Sequence, residues 1–542
     1  MTQDPSRISS IGTAPATIAA RGVSPVMPSL FSYAPTLLLL IAIAIDSKQY
    51  ADTDLWGHVL FGQVMLGTGH LIRTNIYAYS APGRPWIDHE WLTEVVMALL
   101  YNAIGIAGLQ VLKLLCASAI VILLAAGLAE TGASIAPQFI ALAAVAIALT
   151  QQMQFRPQLF DYVFLAALIA MLARECHGRR APLWLAVPML ALWANLHGGF
   201  FVGLAALGVY SAACAVEGLM SGARLGRALR PAVVTAAAAL ATLCNPWGGG
   251  EWTAVARSLR NPYTIGRISE FKPLLRTLDA LHRAGMSIFP LLTMLLMLAT
   301  LIAACLLAPR REDDGLLAVA ALMVAAAFAA VRNTALAALA MAVPLAYHVD
   351  LAAARLRSRT ISPAGAHAAS ARAPAAMPLA LQAVVALAAL FLAIRAGVLS
   401  GRLSTAGSMP MGAVDFMTAH GLSGNVLGDY SWGGYLIWHA PPGSKVFIDS
   451  RFEMVYPPRI QRDYLDFLRG GSEASAVLAA YPTDYVMMPT DSVVSRFMAA
   501  HTGWRLLYRD PVAALFARAD SPAAHIAGIP VLRDKAPPSL FP

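Results

Sequence analysis

The chain has 542 residues, of which 58% are hydrophobic and 13% are charged, and its mean hydropathy is +0.62. This composition excludes an ordinary soluble globular protein, because apolar stretches of about 17–25 residues are long enough to cross a bilayer as helices. The net charge of +9 does not indicate binding of nucleic acid, because the basic residues lie mainly in loops between apolar stretches, where membrane topology explains them.

Residues 1–29 are rich in Ser, Thr, Pro and Ala and predict a disordered cytoplasmic N-terminal arm rather than a signal peptide. Residues 30–400 predict a multi-pass transmembrane domain, so the fold class is a mainly α polytopic membrane protein with about eleven transmembrane helices. The predicted spans are 31–46, 109–129, 134–150, 158–173, 181–195, 198–218, 231–245, 286–308, 315–331, 334–349 and 377–399.

The apolar segment 91–105 decides the predicted topology, because it is short and carries Glu94. If it does not cross, the arginine-rich loops all lie on the cytoplasmic side together with the N-terminus, as the positive-inside rule requires. We therefore expect 91–105 and 55–67 to lie along the membrane surface. The outer face then receives a large first outer loop, residues 47–108, and a water-soluble domain, residues 401–542.

The first outer loop opens with the sequence "ADTDLWGH", in which Asp52 and Asp54 precede His58. Two carboxylates this close repel, which raises the pKa of one unless a cation lies between them. Asp52 and Asp54 are candidates for catalysis, with Asp52 preferred, either as a general base or as ligands of a divalent metal shared with phosphate oxygens. His58 is a candidate substrate-binding residue. The alternative is a helix N-cap formed by this segment.

The same loop contains "WIDHEWLTE", with Asp88, His89 and Glu90 in succession. An acid, an imidazole and a second acid offer metal ligands or a proton carrier. Asp88 is therefore a candidate catalytic residue, and His89 and Glu90 are candidates for substrate binding. The alternative is that Asp88 caps a helix that begins near His89.

Three further polar residues, Arg156, His197 and Arg332, stand at predicted outer helix ends. We assign all three to substrate binding. The two arginines suit a phosphate, because the planar guanidinium group donates two parallel hydrogen bonds to it. The alternative for the two arginines is an interfacial anchor. His197 has the alternative of a residue in a turn before Gly198 and Gly199.

Residues 401–542 predict an extracytoplasmic α/β domain. Helices are predicted at 411–420, 457–469, 473–480 and "SVVSRFMAA", strands at "KVFID" and 484–489, and a hairpin at 504–518. Asp449 and Arg451 follow the strand "KVFID", where open α/β sheets commonly bind ligands. Both are candidates for substrate binding, with surface polarity at a strand end as the alternative.

The layout resembles the GT-C superfamily of membrane glycosyltransferases, which use lipid-linked sugar donors. Asp52 and Asp54 match the acidic first-loop motif of that superfamily, and 55–67 and 91–105 match its two membrane-surface helices. The elements "GDYSWGGYLIW" and "KVFIDSR" are distantly similar to the oligosaccharyltransferase catalytic subunit, but the chain has one Trp in this motif, preceded by Asp429. Recognition of an acceptor sequon is therefore not carried over. The chain also resembles a bacterial membrane protein family with "DHEWL", "NLHGGF" and "WGGYL" elements.

The resemblance implies an inverting glycosyltransferase in a bacterial inner membrane, with a cytoplasmic N-terminus and a periplasmic C-terminal domain. The expected partners are a polyprenyl-phosphate sugar donor, membrane lipid and a glycan, lipid or protein acceptor, with no nucleic acid. The expected cofactor is Mg²⁺ or Mn²⁺ on Asp52 and Asp54 if the reaction depends on a metal. The alternatives are a non-catalytic scaffold or assembly subunit of a polysaccharide export system, and a transporter, which the scarcity of charge inside the predicted helices disfavours.

Overall fold

A computed structural model gives the structure of the protein. It describes residues 34–220, 226–258, 260–261, 269–274, 276, 287–309, 313–360, 387, 391, 397–398, 400–405, 409–526 and 540–541. The predicted arm 1–29 and most of the predicted span 377–399 lie outside the described residues.

The first part of the chain folds into helices, because apolar runs in a membrane satisfy their backbone hydrogen bonds within the segment. In chain order they are α1 (Ala34–Asp46), α2 (Leu55–Thr68), α3 (Trp91–Ile104), α4 (Ile106–Glu130), α5 (Ile135–Leu149), α6 (Leu159–Cys176), α7 (Ala186–Leu196), α8 (Phe200–Met220), α9 (Gly226–Ala241), α10 (Gly249–Ser258), α11 (Phe289–Leu307), α12 (Asp314–Ala329) and α13 (Thr334–Thr360). Ten of the eleven predicted spans coincide with these helices.

Among the described residues, four helical stretches are long and apolar enough to cross a membrane: Ile106–Glu130, Phe200–Met220, Phe289–Leu307 and Val331–Ser358. Other apolar helices are shorter, so the predicted number of eleven crossings is not confirmed. Helix α13 is the most buried of the four stretches and packs against α4, α5, α6, α11 and α12. Its run of alanines suits this central place, because small side chains let helices approach closely.

Helices α2 and α3 correspond to the two predicted surface helices and pack tightly against each other. Gly62 lies directly against the backbone carbonyl of Glu94, where a Cβ atom has no room. The helices run in the same direction, since His58 contacts Glu94 at one end and Gln63 bonds Asn102 at the other. Both helix N-termini, with their partial positive charge, therefore open on the same region.

The C-terminal part contains a mixed α/β region, as predicted. Its helices are α14 (Met411–Ala419), α15 (Gly433–His439), α16 (Phe452–Val455), α17 (Pro458–Phe467), α18 (Gly471–Ala480) and α19 (Val493–Ala500). Its strands are β3 (Asn425–Gly428), β4 (Lys445–Val446), β5 (Tyr485–Pro489), β6 (Trp504–Arg509) and β7 (Ala513–Arg518), in the order β4–β3–β5–β7–β6. Strands β4 and β5 pair parallel to β3, whereas β5–β7 and the predicted hairpin β6–β7 are antiparallel.

The first loop and the C-terminal part share backbone structure. Strand β1 (Tyr50–Ala51) pairs with β2 (Leu403–Thr405), which in turn pairs with β8 (Leu540–Phe541). Ala78 also forms a parallel bridge with Val446 at the edge of the larger sheet. The loop segment that leads into Asp52 is therefore fixed by strands that lie more than 350 residues further along the chain.

Candidate active site

The residues predicted to form a site come together at one cavity, whose volume is about 400 Å³. It lies where the N-termini of α2 and α3 meet loops of the helical part and the C-terminal sheet. Nine predicted residues line it: Asp54, His58, Asp88, His89, Glu90, Arg156, His197, Arg332 and Arg451. The other two, Asp52 and Asp449, lie behind the wall, each paired with an arginine that lines the cavity.

Arg156 stands between the two carboxylates of the D-x-D sequence. Its Nη2 atom lies 2.8 Å from Oδ2 of Asp52 and 3.4 Å from Oδ2 of Asp54. Its Nη1 atom lies 3.3 Å from Glu270 on the other side. A guanidinium group thus takes the place between Asp52 and Asp54 that was expected for a metal, and Arg156 is engaged by three carboxylates.

The two aspartates differ in exposure and in role. Asp52 is buried, and its Oδ1 accepts the backbone N–H of Asp54, which shapes the turn before α2. Asp54 occupies the N-cap position of α2 without forming a side-chain cap and faces the cavity. Burial and the charge of Asp52 raise the pKa of Asp54 to about 6, although Arg156 and a hydrogen bond from Ser450 act to lower it. At neutral pH Asp54 is therefore an ionised carboxylate with a proton affinity suited to a general base.

The DHE sequence forms the opposite wall, at the start of α3. Asp88 is almost fully buried and its Oδ1 accepts the backbone N–H of Glu90. Burial, together with the neighbouring carboxyl groups of Glu94 and Glu90, raises the pKa of Asp88 well above its usual value. Helix α3 begins at Trp91 rather than near His89.

Glu90 lies at the centre of an imidazole cluster. Its Oε1 atom is 3.7 Å from Nε2 of His89 and 3.4 Å from Nε2 of His197. Its Oε2 atom is 3.9 Å from Nδ1 of His58, which bonds Glu94 at 3.1 Å. Among the described residues, two groups have ligand atoms close enough to hold a metal ion: His89, Glu90 and His197, and His58, Glu90 and Glu94.

The "NLHGGF" sequence places His197 through a chain of contacts between α6 and α7. Nδ1 of His197 lies 2.7 Å from one oxygen of Asp161 and 2.8 Å from the other. Asp161 also accepts a hydrogen bond of 2.6 Å from Nε1 of Trp193. A Cβ on Gly199 would collide with the Asp161 carboxylate, and one on Gly198 would lie 2.8 Å from the ring of His89.

The two remaining arginines have different environments. Arg332 stacks on the ring of Phe271, with Cζ 4.5 Å from the ring centroid, and has no carboxylate partner among the residues that the structure describes. Arg451 forms a two-pronged ion pair with Asp449, at 2.6 and 2.9 Å. Although burial acts to raise it, the pKa of Asp449 is held below its usual value by Arg451. Arg451 is therefore a neutralised, structural cation, whereas Arg332 presents a charge to the cavity.

Arg451 also joins the C-terminal part to the first loop. Its guanidinium group lies over the rings of Phe61, Tyr77 and Trp86, at 5.1, 5.3 and 4.6 Å from their centroids. Its Nη2 atom donates a hydrogen bond of 3.0 Å to Asn75. These contacts hold Arg451, which follows the segment "KVFID", at the cavity wall.

Three residues of this region were not predicted from the sequence: Asp161, Glu251 and Ser450. Glu94 follows Glu90 by one helical turn on α3, and this spacing was a signal that places both on one face. The positions of Asp161 and Glu270 relative to the other groups had no local signal, because their partners are distant in sequence.

The fold is similar to that of a solved oligosaccharyltransferase, in agreement with the fold that the sequence resemblance predicted. Archaeal oligosaccharyltransferase AglB from Archaeoglobus fulgidus, in complex with an inhibitory peptide and a dolichol-phosphate, aligns with a TM-score of 0.55 at 14% identity, over 85% of this chain and 70% of that chain. The apo form of the Archaeoglobus fulgidus oligosaccharyltransferase gives 0.55 at 14% identity, over 92% of this chain and 75% of that chain.

ArnT from Cupriavidus metallidurans, bound to undecaprenyl phosphate, aligns over 91% of this chain and 98% of that chain at 12% identity, with a TM-score of 0.41. This likeness is too weak to carry an argument. The sequence matches no protein-family model and no curated protein. The comparisons thus show the fold, and the site has to be interpreted from its own residues.

Proposed function

We propose that the protein is an inverting glycosyltransferase that moves a sugar from a polyprenyl-phosphate or polyprenyl-diphosphate donor to a glycan, lipid or protein acceptor. The observation that carries the proposal is that one cavity is lined both by a first-loop carboxylate, Asp54, and by Arg332, which has no carboxylate partner among the described residues. The similar oligosaccharyltransferase was solved with a dolichol-phosphate, which supports a lipid-linked donor.

Arg332 is the proposed contact for the donor phosphate. It lines the cavity on the short helical turn Val331–Asn333, directly before α13, and Phe271 holds its guanidinium plane. A guanidinium group without a carboxylate partner binds a phosphate oxygen pair without first breaking an ion pair. Arg156, the second predicted phosphate contact, is committed to Asp52, Asp54 and Glu270, so we assign it the role of positioning the two aspartates.

Asp54 is the proposed base, ahead of Asp52, which the sequence interpretation had preferred. In the step, Asp54 takes the proton of the acceptor nucleophile, and the nucleophile forms a bond to the anomeric carbon of the sugar. The bond from that carbon to the donor phosphate oxygen breaks, and the polyprenyl phosphate leaves with the electron pair. Asp52 pairs with Arg156 and holds the turn that aims Asp54. Asp88 is less suited to act as the base, because burial raises its pKa well above the usual value.

The C-terminal residues complete the proposed acceptor side. Ser450 bonds Asp54, and Tyr430, Phe452 and Glu453 line the cavity beside it. We place this side of the cavity, the first outer loop 47–108 and the domain 401–542 on the periplasmic face of a bacterial inner membrane, with the N-terminus in the cytoplasm. The arginine distribution of the loops supports this orientation.

Binding of lipid phosphate tests the proposal. The full chain in detergent is titrated with undecaprenyl phosphate and with undecaprenol, which differ only in the phosphate group, in EDTA-containing buffer. We expect binding of the phosphate alone, weakened at least tenfold in Arg332→Gln and unchanged in Arg179→Gln, whose side chain is 64% exposed on a distant loop. Equal binding of the two lipids, or full binding by Arg332→Gln, would contradict the proposed donor contact.

The scaffold alternative is distinguished by turnover. A scaffold subunit with the same fold would bind lipid phosphate and still release no polyprenyl phosphate from a sugar-loaded donor. The buried ionisable groups around Glu90 favour a working site over a scaffold, because such groups are costly to retain away from water.

A further inference from the structure

We propose that His89, Glu90 and His197 form a binding site for one divalent transition-metal ion, separate from the Asp52–Asp54 pair. Two imidazole nitrogens and a carboxylate oxygen are a donor set suited to Zn²⁺, Mn²⁺ or Fe²⁺. The site stands independently of sugar transfer, since it is defined by these side chains and not by a substrate.

The distances between the ligand atoms fit a shared ion. Oε1 of Glu90 lies 3.4 Å from Nε2 of His197 and 3.7 Å from Nε2 of His89, and the three atoms all lie within 4.8 Å of one another. Atoms bound at about 2.1 Å from one metal ion lie roughly 3.0–3.4 Å apart. Small side-chain rotations therefore bring the three atoms into coordination.

His197 is held in the way that metal-binding histidines are held. A ligating imidazole commonly donates its other ring N–H to a carboxylate, which fixes the ring and makes the free nitrogen more basic. Asp161 supplies this carboxylate at Nδ1, so Nε2 is the nitrogen that faces Glu90. The Gly199 amide also lies 3.0 Å from Nδ1; we assign the ring proton to Nδ1 because a carboxylate only accepts.

The two glycines after His197 make the site sterically possible. Asp161 approaches so closely that any side chain at Gly199 would displace it, and His89 occupies the space of a side chain at Gly198. Gly198 thus leaves room for His89, a proposed ligand, and Gly199 leaves room for Asp161, which orients His197. This accounts for the "HGG" sequence, which donor and acceptor binding left unexplained.

The charge of this region also calls for a cation. Carboxyl groups of Asp88, Glu90, Glu94 and Glu251 are gathered here, and those of Asp88, Glu94 and Glu251 are at least 97% buried. The arginines nearest to them are neutralised elsewhere, Arg156 by three carboxylates and Arg451 by Asp449. A divalent ion at Glu90 would lower the cost of gathering these carboxyl groups in a buried cluster.

The second metal-capable group, His58, Glu90 and Glu94, is the weaker choice. His58 and Glu94 already form a direct hydrogen bond of 3.1 Å, which occupies the donor atoms that a metal needs. The Oε2 atom of Glu90 faces His58, so Oε1 is left for His89 and His197. The side chains of His89, Glu90 and His197 are 15%, 18% and 9% exposed, so an ion reaches them from the cavity.

Metal content tests the proposal without any activity assay. The full chain in detergent is stripped with EDTA, dialysed, loaded with Zn²⁺ or Co²⁺, and measured by elemental analysis and by the Co²⁺ absorption spectrum. We expect one tightly bound ion per chain in the wild type and loss of it in Glu90→Gln and in His197→Gln. Asp161→Asn should bind with an affinity lowered by about 10–100-fold, since it removes only the orienting carboxylate.

Two controls separate this site from its alternatives. His348→Gln removes another buried imidazole paired with an aspartate, at 3.0 Å from Asp313, outside both metal-capable groups, and should keep the ion. Asp54→Asn should keep it as well. Absence of a bound ion in the wild type, or an ion that survives Glu90→Gln and His197→Gln, overturns the proposal. Failure of lipid-phosphate binding would instead count against the donor contact and leave the metal result unaffected.

Discussion

The two ends of helix α6 differ in how their charged side chains are paired. At its C-terminal end, carboxylates and arginines match: Glu130 pairs with Arg174 and Arg179 at 2.9 and 3.0 Å, and Glu175 with Arg230 at 2.8 Å. At its N-terminal end, where Asp161 lies, carboxyl groups outnumber the arginines and several are buried. The C-terminal end, where the charges are matched in pairs, needs only to face water and lipid headgroups. The unmatched N-terminal end retains buried ionisable groups, which are unfavourable for folding, and we expect chemistry there.

The largest effect is expected from removing the base at the unmatched end. Asp54→Asn keeps the shape of the side chain but accepts no proton, and loss of a general base lowers the rate about 10²–10⁴-fold. Glu175→Gln, the matched control, removes an arginine-paired carboxylate from the other end of α6 and should leave the rate unchanged. The measurement is the initial rate of polyprenyl phosphate release from a sugar-loaded donor, and a near-normal rate in Asp54→Asn would sink the assigned role.

A smaller effect, on the free energy of unfolding, should distinguish Arg156 near the N-terminal end of α6 from Arg179 near its C-terminal end. Arg156 is 20% exposed and faces three carboxylates, so Arg156→Gln leaves buried charges unpaired, at a cost of about 3–5 kcal/mol. Arg179 is 64% exposed, so Arg179→Gln should cost about 0–1 kcal/mol. Thermal unfolding in detergent compares them, and equal melting temperatures would show that the Arg156 cluster contributes little to stability.

The smallest effect concerns Glu251, which is buried near Asp88 and whose two carboxyl oxygens have no hydrogen-bond partner among the described residues. Burial, followed by the charge of Asp88, raises its pKa from 4.5 to about 8. The folded state then binds a proton more tightly than the unfolded state, so stability falls as pH rises between these two values. Glu251→Gln stays neutral, and its melting temperature should match the wild type near pH 5 and exceed it by a few degrees above pH 8. A constant difference at all pH values would contradict this account.

Much of the fold was accessible from the sequence, because apolar length and period are local signals. The helix positions, the two short helices α2 and α3 and the hairpin β6–β7 follow from such patterns. The predicted strand "KVFID" was an exception: only Lys445–Val446 forms strand β4. The residues after it run on toward Arg451, whose contacts with the first loop no local pattern encodes.

The sequence predicted which residues gather on one face of the protein. It did not predict which function each of these residues has. The sequence interpretation preferred Asp52 to Asp54, and the structure separates them by their contacts with Arg156, which is about a hundred residues away. Likewise, Arg156 and Arg332 were equivalent predictions until the carboxylate partners of Arg156 were seen. Roles in this cavity depend on partners that are close in space and remote in sequence.

The small sheet β1–β2–β8 has a consequence for the order in which the protein is made. Tyr50–Ala51, next to Asp52, finds its strand partner only at Leu403–Thr405, and this partner is flanked in turn by Leu540–Phe541. A ribosome inserts the first helices long before those later residues emerge, so the D-x-D segment waits without its sheet during most of synthesis. The D-x-D segment is thus among the last parts of the chain to become ordered, and a nascent chain carries no finished site while it is still being inserted.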